Sequence, residues 1–206
     1  MRTSRIAAFA AGVMVLGAVR AAPTLQVLST SLAPAVGDSF TVDLVVDGLT
    51  DLAAPSLGVY DFDLTFDPAL VAPGTVTFGT GLDVLGLGSI QAATPGAGAV
   101  NLFELSLDTI DDLNNLQAGA FQIASVTFTA LAAGDNSFGV SVNAFGDADG
   151  FGIQNLSVTG QDIRITGAVT PPTGVPEPAA LALALAGLGA LWTTSRRHRT
   201  GVVAPA

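Results

Sequence analysis

Apolar and polar residues alternate with a period of two along several stretches of this 206-residue chain. Phe40, Val42, Leu44 and Val46 alternate with Thr41, Asp43 and Val45, and Tyr60, Phe62, Leu64 and Phe66 alternate with Asp61, Asp63, Thr65 and Asp67. A strand with one buried face has this pattern, and no helical period fits it. Ser39–Val46 and Tyr60–Phe66 are therefore predicted strands. Further candidates are Leu25–Leu28, Thr75–Phe78, Val100–Leu107, Phe121–Ala130, Phe138–Val142, Leu156–Thr159 and Ile163–Ile165. In Val100–Leu107 the face carrying Phe103, Leu105 and Leu107 is the apolar one, which assigns Glu104 to solvent. In Phe121–Ala130 the apolar phase shifts between Ile123 and Ala124, which predicts a bulge or a bent entry. Gly37-Asp38, Asp67-Pro68, Gly134-Asp135-Asn136 and Asp149-Gly150 carry turn chemistry, and only Asp108 to Gln117 has room for a helical turn. About nine short strands and no long helix predict an all-β fold, an antiparallel two-sheet sandwich.

Two uncharged stretches fall outside this pattern, one at each end. Arg2 and Arg5 precede an apolar run from Ile6 to Val19, and Val19-Arg20-Ala21 places small residues where a signal peptidase reads. Residues 1–21 are therefore expected to be a secretory signal cut after Ala21; the alternative, an N-terminal anchor, has a short run for a span. At the other end a Pro-rich linker, 169–174, leads into Val175-Pro176-Glu177-Pro178, then Ala179 to Trp192 without a charge, then Arg196, Arg197, His198 and Arg199. As a helix those fourteen apolar residues rise ~21 Å, short of a ~30 Å hydrocarbon core, so the span is marginal. The Arg cluster should stay cytoplasmic as a stop-transfer element, which leaves residues 22–178 outside, the orientation the signal also requires.

Composition sharpens what that exported part can do. All seven basic residues are Arg, there is no Cys or Lys, and the single His is His198. Thiol nucleophiles, Cys-ligated zinc, disulfides, Schiff bases and P-loop lysines are thereby excluded. Sixteen of the seventeen acids lie between Ala22 and Pro176 against one base, Arg164, a net of −15. Such a surface does not hold nucleic acid.

The order of parts from Val175 to Arg199 resembles the PEP-CTERM sorting signal of exopolysaccharide-producing Gram-negative bacteria. That resemblance implies that Val175, Pro176, Glu177 and Pro178 are read by an exosortase, a membrane transpeptidase-like enzyme. The enzyme would remove the helix and release or transfer the ectodomain to the cell surface or matrix. Residues 175–199 then form the sorting signal and 200–206 a tail; the alternative is a plain tail anchor. Within the sandwich, Val36 to Val42, Tyr60 to Val71, Ile123 to Ala130 and Gly134-Asp135-Asn136 look like parts of a cohesin-like domain. This covers about residues 24–167 of an ectodomain taken as 22–168, and implies a nine-stranded jelly roll related to carbohydrate-binding modules. In cohesins one sheet face binds a dockerin helix; no dockerin contact motif can be matched here residue by residue.

For catalysis the exported part has few candidates. His198 lies beyond the span, so a Ser-His-Asp triad is excluded. Asp61 and Asp63 share a strand face about 7 Å apart, a spacing compatible with an inverting glycosidase, but the stronger reading is that they are the solvent half of an amphipathic strand. Asp147 and Asp149, on a turn with Gly150, are the candidate calcium ligands; the competing reading is ordinary Asp-Gly turn chemistry. Asp108, Asp111 and Asp112 form a second acidic group. The sequence thus predicts a non-enzymatic, secreted sandwich with a structural or adhesive role in exopolysaccharide or biofilm. The alternatives are a module binding carbohydrate or a surface protein and, more remotely, a glycan-acting enzyme. An exposed aromatic row would favour sugar; an apolar patch on a flat sheet would favour protein.

Overall fold

The computed structural model describes residues 22–168; the segments 1–21 and 169–206, with the signal, linker and sorting motif, lie outside them. Ten strands form two five-stranded sheets. One sheet has the order β4-β7-β2-β1-β9, from β1 (Thr24–Ser29), β2 (Ser39–Asp47), β4 (Val71–Phe78), β7 (Phe121–Ala130) and β9 (Ser157–Thr159). The other has the order β10-β8-β3-β6-β5, from β3 (Leu57–Thr65), β5 (Ser89–Gly96), β6 (Ala99–Ser106), β8 (Gly134–Asp147) and β10 (Gln161–Ile165). Pairing is antiparallel except between β1 and β9, which run parallel. The all-β two-sheet sandwich expected from the sequence is the observed architecture.

The alternating residues meet between the sheets. Phe40, Val42, Leu44 and Val46 of β2 and, beside them in the same sheet, Ile123, Val126 and Phe128 of β7 are all buried, as are Tyr60, Phe62 and Leu64 of β3 in the other sheet. Phe128 sits at the centre of an aromatic cluster with ring centroids 6.1 Å from Phe40, 5.1 Å from Phe66 and 4.9 Å from Phe138. Residues 24–166 complete both sheets and close this core, so 22–168 contains all that an independently folding domain needs. The expected bulge is present: Leu44 pairs with Ala124 and Val45 with Gln122, leaving Ile123 as the extra residue, and both Ile123 and Ala124 turn inward.

Among the described residues a single short helix, α1 (Ile110–Leu116), is present, where the sequence left room for it. The Thr109 side chain caps it by accepting the Asp112 N–H at 3.2 Å. Leu113 anchors it, and the buried Gln117 ties it to the sheet: its Oε1 accepts the Leu57 N–H (2.6 Å), and its Nε2 donates to the carbonyls of Leu57 and Gly81 (2.8 Å each).

Three expectations are corrected. β5 was not expected, because Ser89–Gly96 has no alternation; as an edge strand exposed on both faces, it needs none. Gly134-Asp135-Asn136 is the start of β8 and not a turn; the chain reverses before it, and Asn136 is buried with its Oδ1 accepting the Asp67 N–H at 2.8 Å. The phase of β6 is opposite to that expected: Val100, Leu102 and Glu104 point inward, while Leu105 and Leu107 are exposed. Glu104 is reconciled with the interior by donors. Its Oε2 accepts Tyr60 O–H at 2.9 Å, and its Oε1 accepts Ser89 Oγ–H at 2.6 Å and Gln91 Nε2–H at 2.9 Å.

Candidate binding face

Because β3 and β6 are inner strands of their sheet, their outward residues form the centre of its exposed face. Register sets its rows. Val59 lies beside Leu105, which lies beside Ile90; Asp61 beside Phe103 and Ala92; Asp63 beside Asn101 and Thr94. On the other flank β8 contributes Ala144 and Ser141, and a register break leaves Asn143 as an extra outward residue.

Asp61 and Asp63 are thus the solvent side of an amphipathic strand, but they are not free of each other. Asn101 Nδ2 donates to Asp61 Oδ1 at 2.6 Å and to Asp63 Oδ1 at 3.0 Å, and from the opposite strand Asn143 Nδ2 donates to Asp61 Oδ1 at 3.2 Å and to Asp63 Oδ2 at 2.9 Å. Two carboxamides therefore clamp two carboxylates. The hydrogen bonds from Asn143 and then Asn101 hold Asp63 below the usual carboxylate range. An inverting glycosidase needs one of its acids pushed upward, to keep a proton for the leaving group. A carboxylate shifted downward is suited to accepting hydrogen bonds and pairing with cations.

Next to this polar centre runs an apolar row. Ile90 is 50% exposed and Leu105 37%, with Val59 half-buried between Leu105 and Gly146. A Cβ on Gly146 would stand 2.9 Å from Val59 Cγ1, so the glycine lets the valine lie over the strand. At the end of the row a cleft of about 130 Å³ opens between Val59, Leu105, Asp108, Leu113 and Asp147. Clefts of about 530, 340 and 420 Å³ lie elsewhere, and none of these four is lined by Asp61 or Asp63.

Asp147 and Asp149 are placed by the turn they share with Gly150. Asp147 Oδ1 accepts the Phe151 N–H at 2.8 Å, the Asp147 carbonyl accepts the Gly150 N–H at 3.1 Å, and Gly150 takes φ +86°, which favours glycine. Asp149 is exposed. Among the described residues no group of three or more His, Cys, Asp or Glu could hold a metal ion. Val175, Pro176, Glu177, Pro178, Arg196, Arg197 and Arg199 lie outside the described residues, within which no helix is long and apolar enough to cross a membrane. The amide clamp escaped sequence reasoning, because Asn101 and Asn143 stand 38 to 82 residues from the acids they hold.

No family model and no curated protein matches the sequence. Solved structures do. A type II cohesin domain from the cellulosome of Acetivibrio cellulolyticus superposes with a TM-score of 0.59 at 19% identity, covering 70% of this chain and 95% of that one. A non-cellulosomal cohesin from the hyperthermophilic archaeon Archaeoglobus fulgidus gives 0.54 at 15% identity, over 71% of this chain and 92% of that one. A type I cohesin–dockerin complex from Clostridium thermocellum gives 0.54 at 12%, over 69% and 99%. The described residues therefore form a cohesin-like β-sandwich.

Proposed function

We propose that residues 22–168 are a non-enzymatic protein-binding module, carried outside the cell, that docks a partner protein on the outer face of β8, β3, β6 and β5. The observation that carries this reading is the face itself: an exposed apolar row, Ile90 and Leu105, beside two carboxylates held in place by Asn101 and Asn143. Such a surface offers buried contact and fixed acceptors at once, the combination found at the centre of protein interfaces. A sugar platform needs a row of exposed rings; among the described residues Phe103 is half-buried on the face, the only Tyr is inside, and the one exposed ring, Phe151, stands alone in the turn after β8. Solved neighbours of the fold include cohesin–dockerin complexes, and a protein partner for this chain is consistent with them.

Export and sorting complete the proposal. Signal peptidase would cut after Ala21, and an exosortase would read Val175 to Pro178 and remove the apolar segment, with Arg196, Arg197 and Arg199 as its stop. The module would then reside at the envelope or in the exopolysaccharide matrix of a Gram-negative cell. There its net charge of −15 would gather calcium loosely, Asp147 and Asp149 included.

Immobilised 22–168, incubated with envelope and matrix fractions of the producing cell, tests this. It is expected to retain a defined protein, with retention reduced about 30-fold or more by Leu105→Asp or Asp63→Lys, the range of interface hot spots. An equivalent substitution on the opposite sheet, Gln122→Lys, should leave retention unchanged. Binding to a glycan array with no protein captured, or capture indifferent to both face variants, would overturn the reading.

A further inference from the structure

The sandwich has four edge strands, and three of them are more strongly guarded than the fourth against pairing with another chain. β4 contains Pro73 and a register break between Pro73 and Val76; β9 is three residues long; β10 carries Asp162 and Arg164. The fourth, β5, has only Pro95, next to its last residue, as such a guard; its eight residues carry no charge and keep an unbroken register with β6, and every residue from Ile90 to Gly96 is exposed. Indeed no charged residue occurs between Asp83 and Glu104, in a domain that is otherwise strongly acidic. Leu85 and Leu87, at 45% and 70% exposure, add two uncharged apolar residues just before the strand in sequence.

The direction of the free main-chain groups follows from the hydrogen bonding. Phe66 N–H donates to the Gly98 carbonyl at 3.0 Å, so the even-numbered residues of β6 turn their peptide groups toward β3 and the odd-numbered ones toward β5. Asn101, Phe103 and Leu105 pair with Thr94, Ala92 and Ile90, whose peptide groups are thereby occupied. Those of Ser89, Gln91, Ala93 and Pro95 point off the edge, and among the described strands none pairs with β5 on that side.

We infer that this edge is a self-association surface, on which β5 of a second copy adds antiparallel to β5 of the first. The sequence of the edge is self-complementary in one register. With Gln91 opposite its own copy, Ser89 faces Ala93 and every outward N–H of the three meets a carbonyl. Moving the register by two residues would set Pro95, which has no N–H, against Ser89 and leave a carbonyl unmet. Ile90 then lies beside Ala92 of the other copy, and no charge opposes a like charge along the strand. A cationic or acidic partner strand would find nothing on β5 to recognise. Two five-stranded sheets become one, and the two outer faces proposed as docking surfaces lie side by side, giving the dimer two-point attachment to a matrix.

Sedimentation equilibrium on 22–168 is expected to show a reversible dimer that tightens as salt is raised, because an uncharged contact joins two acidic bodies. Ala93→Pro removes one outward N–H without touching the β6 ladder, so it should abolish the dimer while the circular dichroism spectrum is retained. As the chain has no cysteine, Gln91→Cys should give a disulfide-linked dimer on mild oxidation, its two Cα atoms about 5.5 Å apart, whereas Thr94→Cys, set far from its own copy, should not. A protein that stays monomeric at millimolar concentration, a dimer that survives A93P, or one that salt weakens would overturn the inference. Failure of partner capture in the preceding experiment leaves these results unaffected, since the edge and the face are tested separately.

Discussion

Replacing Phe128 by Ala is expected to cost about 3–5 kcal/mol of folding free energy, the largest single effect among the core residues. The ring is fully buried in β7 and spans the gap between the sheets: Phe40 on its own sheet stacks beside it, while Phe66 and Phe138 meet it from the other. Truncation removes partners from three rings at once. Neighbours held in two hydrogen-bonded sheets cannot collapse to fill the space. A domain of this size has ~5–15 kcal/mol in all, so the variant stands near the limit of folding. Urea denaturation of 22–168 followed by far-UV circular dichroism is the appropriate measurement, since Trp192 lies outside the segment. The midpoint should fall strongly with the slope unchanged. Leu131→Ala, at a half-exposed position, should shift it by less than about 0.5 kcal/mol. Equal effects at the two positions would contradict the packing described.

Which residues reach such positions was legible wherever a strand has one dry face and one wet one. β2 and β3 announce themselves because each alternates buried apolar residues with outward ones that, Val45 and Val59 apart, are polar, and the bulge at Ile123 was visible as two apolar neighbours in a row. The Asp149-Gly150 turn was legible from its chemistry, independent of tertiary context. Where both faces of a strand meet the same medium, alternation disappears; β5, wet on both sides, left no trace. β6 fails differently. Its outer face carries Phe103 and Leu105, and an outward apolar pair imitates a core-facing one in sequence. The same ambiguity hid the amide clamp: Asp61 and Asp63 were readable as solvent-facing, but only the register of β3 with β6 and β8 shows that Asn101 and Asn143 converge on them.

Glu104 is where the misread phase has its greatest energetic consequence. Glu104→Ala is expected to destabilise the domain by about 2–4 kcal/mol, because a buried carboxylate accepting three hydrogen bonds cannot be removed without orphaning donors. Tyr60 O–H would keep only its 3.4 Å approach to the Ile123 carbonyl. Glu104→Gln retains an acceptor for the phenol and should lose about 1–2 kcal/mol. Had Glu104 faced solvent, as alternation suggested, both substitutions would fall within ~0.5 kcal/mol of wild type. The phenol supplies a second readout. Burial above all, then the Glu104 charge and hydrogen bond, pushes Tyr60 well above the ordinary tyrosine range. With the folded value raised, no stability is lost below about pH 10, where both states keep the proton. Above it the unfolded chain releases the proton and the folded chain does not, so stability falls by up to about 1.4 kcal/mol per pH unit. Tyr60 is the only tyrosine in the protein, so phenolate absorbance reports on it alone. Phenolate should appear together with the loss of β-sheet signal in the wild type, and at lower pH in Glu104→Ala. Phenolate forming in a protein that still shows its full β-sheet signal would mean that Tyr60 is open to water, and would remove the physical basis for an inward Glu104.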